Sequence, residues 1–191
     1  MTTATINDQR IAVQFDTELG WMAIQWRGPR VDRLVFGCRS SDAARSRLQP
    51  AATYDDIPLN WVDIRSRSLD GTQHQVLDTL VRYAQGQCVD FDFVRIDDTE
   101  WTPFQARVLA ACRQVGYGEQ ATYAELARRA GSPLAARAVG NIMARNRVPL
   151  IIPCHRIIPS SGSGLGGFSA PGGVATKRRL LQMESAGGQT I

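Results

Sequence analysis

Short apolar runs at residues 11–15, 21–26 and 31–36 are broken by Glu18-Leu-Gly20 and by Arg27-Gly-Pro-Arg30. The pattern predicts three strands of an antiparallel meander. Residues 38–60 read as loop or weak helix, punctuated by Pro50 and Pro58. Val76, Leu77, Leu80, Val81 and Ala84 form a stripe at helical spacing and predict a helix over 72–85, closed by Gly86. Residues 89–94 alternate between apolar and polar and are expected to form a strand. The polar link Asp97-Asp98-Thr99-Glu100 then marks the expected boundary between a domain at 1–98 and a domain at 99–191.

The second half carries helical patterns. Thr102 can cap a helix with Pro103 at its first position, and Phe104, Val108, Leu109 and Cys112 supply its buried stripe. Gly116-Tyr-Gly118 stops it. Thr122-Tyr-Ala-Glu125 has capping-box spacing and opens a short helix through Leu126 and Ala127, ended by Gly131. Ser132-Pro133 starts another, expected from Leu134 to about Arg145. Two short helices joined by a glycine turn read as a helix-turn-helix, with a plain αα-corner as the competing reading. Ala135, Ala136, Ala138 and Gly140 make the second helix slender, with Arg137 projecting among them. Such a helix suits either a narrow groove or tight packing on its neighbour. The fold class expected from these patterns is α+β: a small N-terminal domain with an antiparallel sheet, then a mostly helical domain.

Composition adds little until charge is divided along the chain. Hydrophobic residues make up 43% and charged residues 21% of the 191, which excludes a wholly disordered chain. No run approaches membrane-spanning length, and Met1 to Asp8 lacks a secretory pattern, so a soluble cytoplasmic protein is expected. Residues 1–100 hold 11 Arg against 15 acids, net −4. Residues 101–191 hold ten Arg, one Lys and three acids, net +8. A basic half beside an acidic half points to a polyanion, nucleic acid foremost, or to a solvated arginine-rich surface. Cys38, Cys88, Cys112 and Cys154 are widely spaced, without a C-x-x-C pair, and His74 and His155 complete no familiar zinc spacing. No metal and no disulfide framework are expected.

The densest chemistry lies in Val148-Pro-Leu-Ile-Ile-Pro-Cys-His-Arg-Ile-Ile158. Two prolines flank an apolar run, so the segment is expected to be extended. It delivers Cys154, His155 and Arg156 together. A thiolate is a nucleophile, and a neighbouring imidazole or cation favours it. Neighbours on an extended chain face opposite ways, so Cys154 and His155 need a bend or a bridging water to communicate. Glu184, on the last helix, could orient the imidazole as the third member of a relay. A structural cysteine in a core strand is the plainer alternative.

Pro153-Cys154-His155-Arg156 followed by Ile-Ile resembles the signature of the O6-alkylguanine-DNA alkyltransferases, the methylated-DNA–protein-cysteine methyltransferases. Phe104-Gln-Ala-Arg-Val-Leu109, Gly116-Tyr-Gly-Glu119, Thr122-Tyr-Ala-Glu-Leu-Ala127 and Ala135-Ala-Arg-Ala-Val-Gly140 are also similar to family segments, in family order. So are Asn146, Lys177 and Leu180-Leu181 with Glu184. Residues 101–185 carry the likeness; the first hundred match loosely, chiefly at Tyr83, Gly86 and Phe91. The resemblance implies an N-terminal domain with an RNase H-like sheet and a helix-turn-helix entering the minor groove of duplex DNA. It implies a single-turnover transfer of an alkyl group from O6-alkylguanine to Cys154, with O4-alkylthymine a second candidate lesion, after the nucleotide is flipped out of the stack. His155 would act as base through water, held by Glu184. Asn146 would brace the active-site turn, and Tyr123 would help rotate the nucleotide and hydrogen-bond the guanine. Arg137 would replace the extruded nucleotide, with Ala135, Ala136 and Arg156 also at the DNA. Backbone groups of Cys154, Ile157 and Ser169 would meet the guanine edge beside Phe168. No cofactor, membrane or obligate protein partner is implied, and a monomer, nucleoid-associated in a prokaryote, is expected.

Three departures stand out. Phe168 replaces a Tyr found in many relatives, which leaves a ring without a hydroxyl. Residues 160–167 form a slightly longer loop, and Arg147 stands where Pro often follows the Asn. Two other functions use parts of the same sequence. A DNA lesion sensor or regulator would keep the helix-turn-helix but leaves Cys154 and Glu184 without purpose. A cysteine hydrolase for small molecules would use Cys154, His155 and Glu184 but needs neither Arg137 nor a net charge of +8.

Overall fold

A computed structural model of the chain describes residues 10–49, 59–160 and 164–187. Pro50 and Pro58, expected as loop punctuation, lie outside these residues, as do positions 161–163 of the long loop. The chain divides into two units, Met1–Gln85 with Phe91–Asp97, and Gly86–Asp90 with Asp98–Ile191. The chain thus enters the second unit briefly before the polar link and returns to the first.

In the first unit, β1 (Arg10–Phe15), β2 (Trp21–Arg27) and β3 (Arg30–Cys38) pair antiparallel in the expected meander. Between β1 and β2, Gly20 has φ +91°, and a Cβ there would lie 2.9 Å from the Cys38 carbonyl oxygen. Only glycine fits so close an approach at positive φ. Helix α1 (Ser41–Leu48), capped by the Ser40 side chain on the Ala43 N–H, occupies part of the stretch expected as loop or weak helix. Strand β4 (Leu59–Trp61) then pairs parallel to β1, so the sheet order is β3-β2-β1-β4 and the sheet is mixed rather than antiparallel. Ala12, Ala23 and Cys38 keep one sheet face shallow, and Ala44 and Leu48 of α1 pack there with Trp21, Val35, Leu59 and Trp61 around them. Val13, Ile24, Trp26, Leu34 and Phe36, on the opposite pleat, are buried with 2% exposure or less.

Helix α2 (Gly71–Ala84) has a full capping box between Asp70 and Gln73 and buries Val76, Leu77, Leu80 and Tyr83. Residues 89–94 are not a strand. Phe91 and Val94 are buried three positions apart, and the Val94 N–H bonds the Phe91 carbonyl across a turn. The apparent alternation was that of a turn with every third side chain inward; pairing is confined to an isolated bridge of Ile96 with Val31.

The second unit contains α3 (Pro103–Arg113), β5 (Ala121–Thr122), α4 (Tyr123–Arg129), α5 (Ala136–Ala144), β6 (Ile157–Ile158) and α6 (Gly173–Gly187). Thr102 caps α3 reciprocally with Gln105, and Pro103 stands in its first turn. Val108, Leu109 and Cys112 are buried as expected, while Phe104 is only half-buried under the Arg107 guanidinium. Thr122 and Glu125 form the expected capping box on α4. Gly131, at φ +74°, turns the chain out of α4, and the Arg107 Nε donates to the Ala130 carbonyl at 3.0 Å, tying that turn to α3. Helix α5 begins two residues later than expected, because Pro133 and Leu134 form a turn and Ala135 is the capping position, without a side-chain cap. Val139 and Met143 anchor its inner face.

Candidate active site

Four segments of the second unit meet around Cys154. Strands β5 and β6 pair in parallel with Ala121 opposite Ile157, and α4 starts directly after β5. That register places Tyr123 beside the end of the Pro-Cys-His-Arg segment. The segment is not extended. Leu150 adopts φ +70° in a tight turn between Pro149 and Ile152, and the Ile152 N–H bonds the Val148 carbonyl at 2.9 Å. Pro153 follows at φ −81° and ψ 62°, an inverse γ-turn that brings the Cys154 N–H 2.8 Å from the Ile152 carbonyl. Cys154, His155 and Arg156 then form one 3-10 turn. Proline blocks helix ahead of Cys154 but does not enforce a straight chain. The bend that a cysteine–histidine partnership requires is present in the backbone.

Asn146 holds this turn from inside. Its Nδ2 donates to the Ile152 carbonyl at 2.8 Å and to Cys154 Sγ at 3.2 Å, while its Oδ1 accepts from the Val148 N–H at 3.0 Å. Burial pushes the Cys154 thiol up from its ordinary value. The Asn146 donor, the Lys177 charge and the N–H groups of Cys154 and His155 pull it back down.

Glu184 is fully buried and receives four donors. His155 Nε2 lies 2.8 Å from Oε1; Arg156 donates Nη2 to Oε1 and Nε to Oε2, each at 2.9 Å; the Gly118 N–H reaches Oε2 at 3.3 Å. Burial alone would push this carboxyl up, but the hydrogen bonds and the guanidinium hold it at about 2. Burial holds His155 below its ordinary value despite Glu184, so the ring is neutral. An ionised carboxylate only accepts, which puts the imidazole proton on Nε2 and leaves Nδ1 as the basic nitrogen.

Arg156, expected at the DNA, is 6% exposed, with Nη1 on the Val115 carbonyl at 2.7 Å and the rest of its fork on Glu184. It is a buried counter-ion that neutralises Glu184, and its basicity is spent inside the unit. Ile157, expected in the pocket, is fully buried in β6, and its carbonyl accepts from Lys177 Nζ at 2.6 Å. Lys177 is itself fully buried, and burial pulls its ammonium down while the nearby thiols of Cys154 and Cys112 oppose that. Its signal was legible: the only Lys of the chain stands with Leu180, Leu181 and Glu184 on one helical stripe of α6.

Cys154 opens onto a pocket of about 430 Å³ lined by Tyr123, Gly140, Met143, Ala144, Gly167, Phe168 and Ser169. Tyr123, Phe168 and Ser169 are thus brought together as expected, and the wall supplied by Gly140, Met143 and Ala144 of α5 was not foreseen. Burial keeps the Tyr123 hydroxyl protonated, so it is a donor. Arg137 is exposed on α5, while Ala135 and Ala136 at its start are half-buried. Among the described residues no cluster of metal-ligating side chains occurs, and no helix is long and apolar enough to cross a membrane.

Comparison with known proteins gives this constellation a context. The family model for the 6-O-methylguanine DNA methyltransferase DNA binding domain matches residues 103–186. A methylated-DNA–protein-cysteine methyltransferase of Mycobacterium bovis is 42% identical over 134 residues, covering 70% of this chain and 75% of that protein. One from Methanothermobacter thermautotrophicus is 42% identical over 111 residues, which span 58% of this chain and 60% of the relative. The crystal structure of Mycobacterium tuberculosis OGT in complex with DNA superposes with a TM-score of 0.69 at 30% identity, over 92% of this chain and 93% of that one. The superposition extends over the N-terminal unit as well, where the sequence likeness is faint. With Cys154 on the wall of a pocket, its chain neighbour His155 buried against Glu184, and the short helices α4 and α5 in the same unit, this chain belongs to the methylated-DNA–protein-cysteine methyltransferase family.

Proposed function

We propose that the protein repairs duplex DNA by moving the alkyl group of O6-alkylguanine onto its own Cys154. The observation that carries this reading is Cys154 Sγ on the wall of a pocket faced by Tyr123 and Phe168, with the Asn146 amide 3.2 Å away. The thiol proton passes toward His155 Nδ1, directly or through one water, while Glu184 stabilises the imidazolium that forms. The thiolate attacks the alkyl carbon, a C–S bond forms, and the C–O6 bond breaks with its electron pair left on the purine. Guanine regains the proton that the thiol gave up, so atoms and charge balance without a cofactor. The Tyr123 hydroxyl, on the pocket wall, donates to the departing base. The thioether has no route back to a thiol in this site, so each molecule acts once.

A base inside a duplex stack is out of reach of a buried thiol, so the nucleotide must leave the stack, at a cost of a few kcal/mol. Arg137, exposed on α5 among small side chains, is suited to fill the gap. A place with the chromosome, in the cytoplasm or its nucleoid, follows from that substrate. The test is intact-protein mass after incubation with duplex containing O6-methylguanine, followed by peptide mapping. One step of about 14 Da on Cys154, not exceeded with excess substrate, is the expected result. An unchanged mass with DNA bound would make the protein a lesion sensor, and turnover beyond one equivalent would make it a hydrolase.

A further inference from the structure

The turn between α4 and α5 carries a side chain that the transfer chemistry does not use. Leu134 is 102% exposed. Among the described residues the exposed large hydrophobic side chains are Leu134 and Val174, and Val174 is only 38% exposed. A lone exposed leucine is common, so exposure by itself decides nothing. Its setting does. Pro133 fixes φ on one side, and on the other the Ala135 N–H bonds the Ser132 carbonyl at 2.9 Å. The side chain therefore stands at the tip of a braced turn. Arg128 and Arg129 close α4 before it, and exposed Arg137 follows in the first turn of α5. No acidic residue occurs in the chain between Glu125 and Glu184. Beyond Leu134, Ala135, Ala136, Ala138 and Gly140 offer nothing bulky on α5.

With Arg128, which also reaches Glu125 at 4.0 Å, and Arg129 before it in the chain and Arg137 after it, this exposed apolar side chain lies in a basic stretch that repels basic partners and leaves charges unmatched against a purely apolar one. It matches a surface that alternates phosphate with hydrocarbon, as the sugar-lined wall of a duplex groove does. We propose that Leu134 is a DNA-contact residue that packs against deoxyribose in the groove entered by α5, adding affinity that salt does not screen. This rests on the reading that the helix-turn-helix docks on duplex DNA.

The test compares duplex affinity of the parent chain, Leu134→Ala and Leu134→Lys by fluorescence anisotropy, from about 50 to about 300 mM salt. Leu134→Ala is expected to bind about threefold to tenfold more weakly at every salt concentration, with a line of log K against log salt parallel to the parent's. An apolar contact releases no counterion, so it moves the intercept and not the slope. Leu134→Lys trades the sugar contact for a phosphate contact and steepens the slope by about 0.9. Thermal unfolding checks the fold, and both melting points should match the parent because the side chain has no protein neighbour to lose. Leu134→Ala within twofold of the parent at all salt concentrations, or an unchanged slope for Leu134→Lys, overturns the contact while leaving the repair reading intact. A parent chain that binds no duplex sinks the repair reading and this contact with it.

Discussion

Replacing Glu184 by Gln keeps the shape of the side chain and removes its charge. The native carboxylate accepts from His155, from two nitrogens of Arg156 and from Gly118, two bonds on each oxygen. An amide has one acceptor oxygen, and its NH2 would face donors where the other oxygen stood. Two buried donors then lose their acceptor, at about 1–3 kcal/mol each, and the Arg156 guanidinium is left buried without its counter-charge. The titration of the native carboxyl gives a second route to the magnitude. Holding it at about 2 rather than 4.5 corresponds to about 3 kcal/mol in favour of the charged form. Both routes place the cost of Glu184→Gln at about 3–5 kcal/mol at neutral pH, or about 1.5–2.5 M in urea midpoint. The readout should belong to the second unit alone. Cys112 is fully buried there, and its labelling by a pyridyl disulfide, which reacts in acid as well as neutral solution, reports opening of that unit. Because the native carboxyl titrates below its unfolded value, its stabilisation is complete above about pH 4.5 and is lost as the pH falls toward 2. The gap between parent and variant should therefore be widest near neutrality and close across that acid window. A gap below about 1 kcal/mol at pH 7, or one that widens in acid, would refute the view of Glu184 as the charged hub of the site.

Asn146→Ala removes the donor to Cys154 Sγ and two further bonds of the turn; it should cost about 2–3 kcal/mol in thermal unfolding. It should also move the pH profile of Cys154 alkylation by iodoacetamide to higher pH, since the lost donor was favouring the thiolate; a shift to lower pH would contradict the brace. Arg137→Ala should slow repair of O6-methylguanine in duplex far more than transfer from the free alkylated base, because its proposed role lies in the stack and not in the pocket. Equal losses on the two substrates, measured by single-turnover transfer, would remove it from that role.

What could be read from the sequence followed local chemistry. The Thr102 cap, the capping box at Thr122, the stripe of α2 and the meander strands are set within a few neighbouring residues, and the structure has them where the pattern placed them. Helix α1 was legible only as loop or weak helix because its apolar positions are few: Ala44 and Leu48 are buried among two arginines, two serines and an aspartate, and it is the sheet that makes that face apolar enough. Strand β4 is three residues long and gains its pairing from β1, far away in sequence. At the site, Cys154, His155 and Glu184 were visible as residue types, and Asn146, Tyr123 and Phe168 through the resemblance. Their assembly depends on the Leu150 turn and the parallel β5–β6 register, which no local rule predicts. Arg156 illustrates the limit best. An arginine in a basic half reads as a phosphate contact until the buried carboxylate it neutralises is seen.

The brief entry of Gly86–Asp90 into the second unit bears on how the protein can be cut. The Tyr117 hydroxyl donates to the Gly86 carbonyl at 2.8 Å, and a Cβ on Gly187 at the end of α6 would stand 2.6 Å from the same oxygen. A fragment begun at Asp98 would retain Cys154, His155, Glu184 and both α4 and α5. It would nonetheless take away the acceptor of Tyr117 and uncover the backbone against which α6 finishes, on the helix that carries Lys177 and Glu184. For a minimal repair module, the natural cut lies upstream of Gly86, with the residues in between retained as a tether.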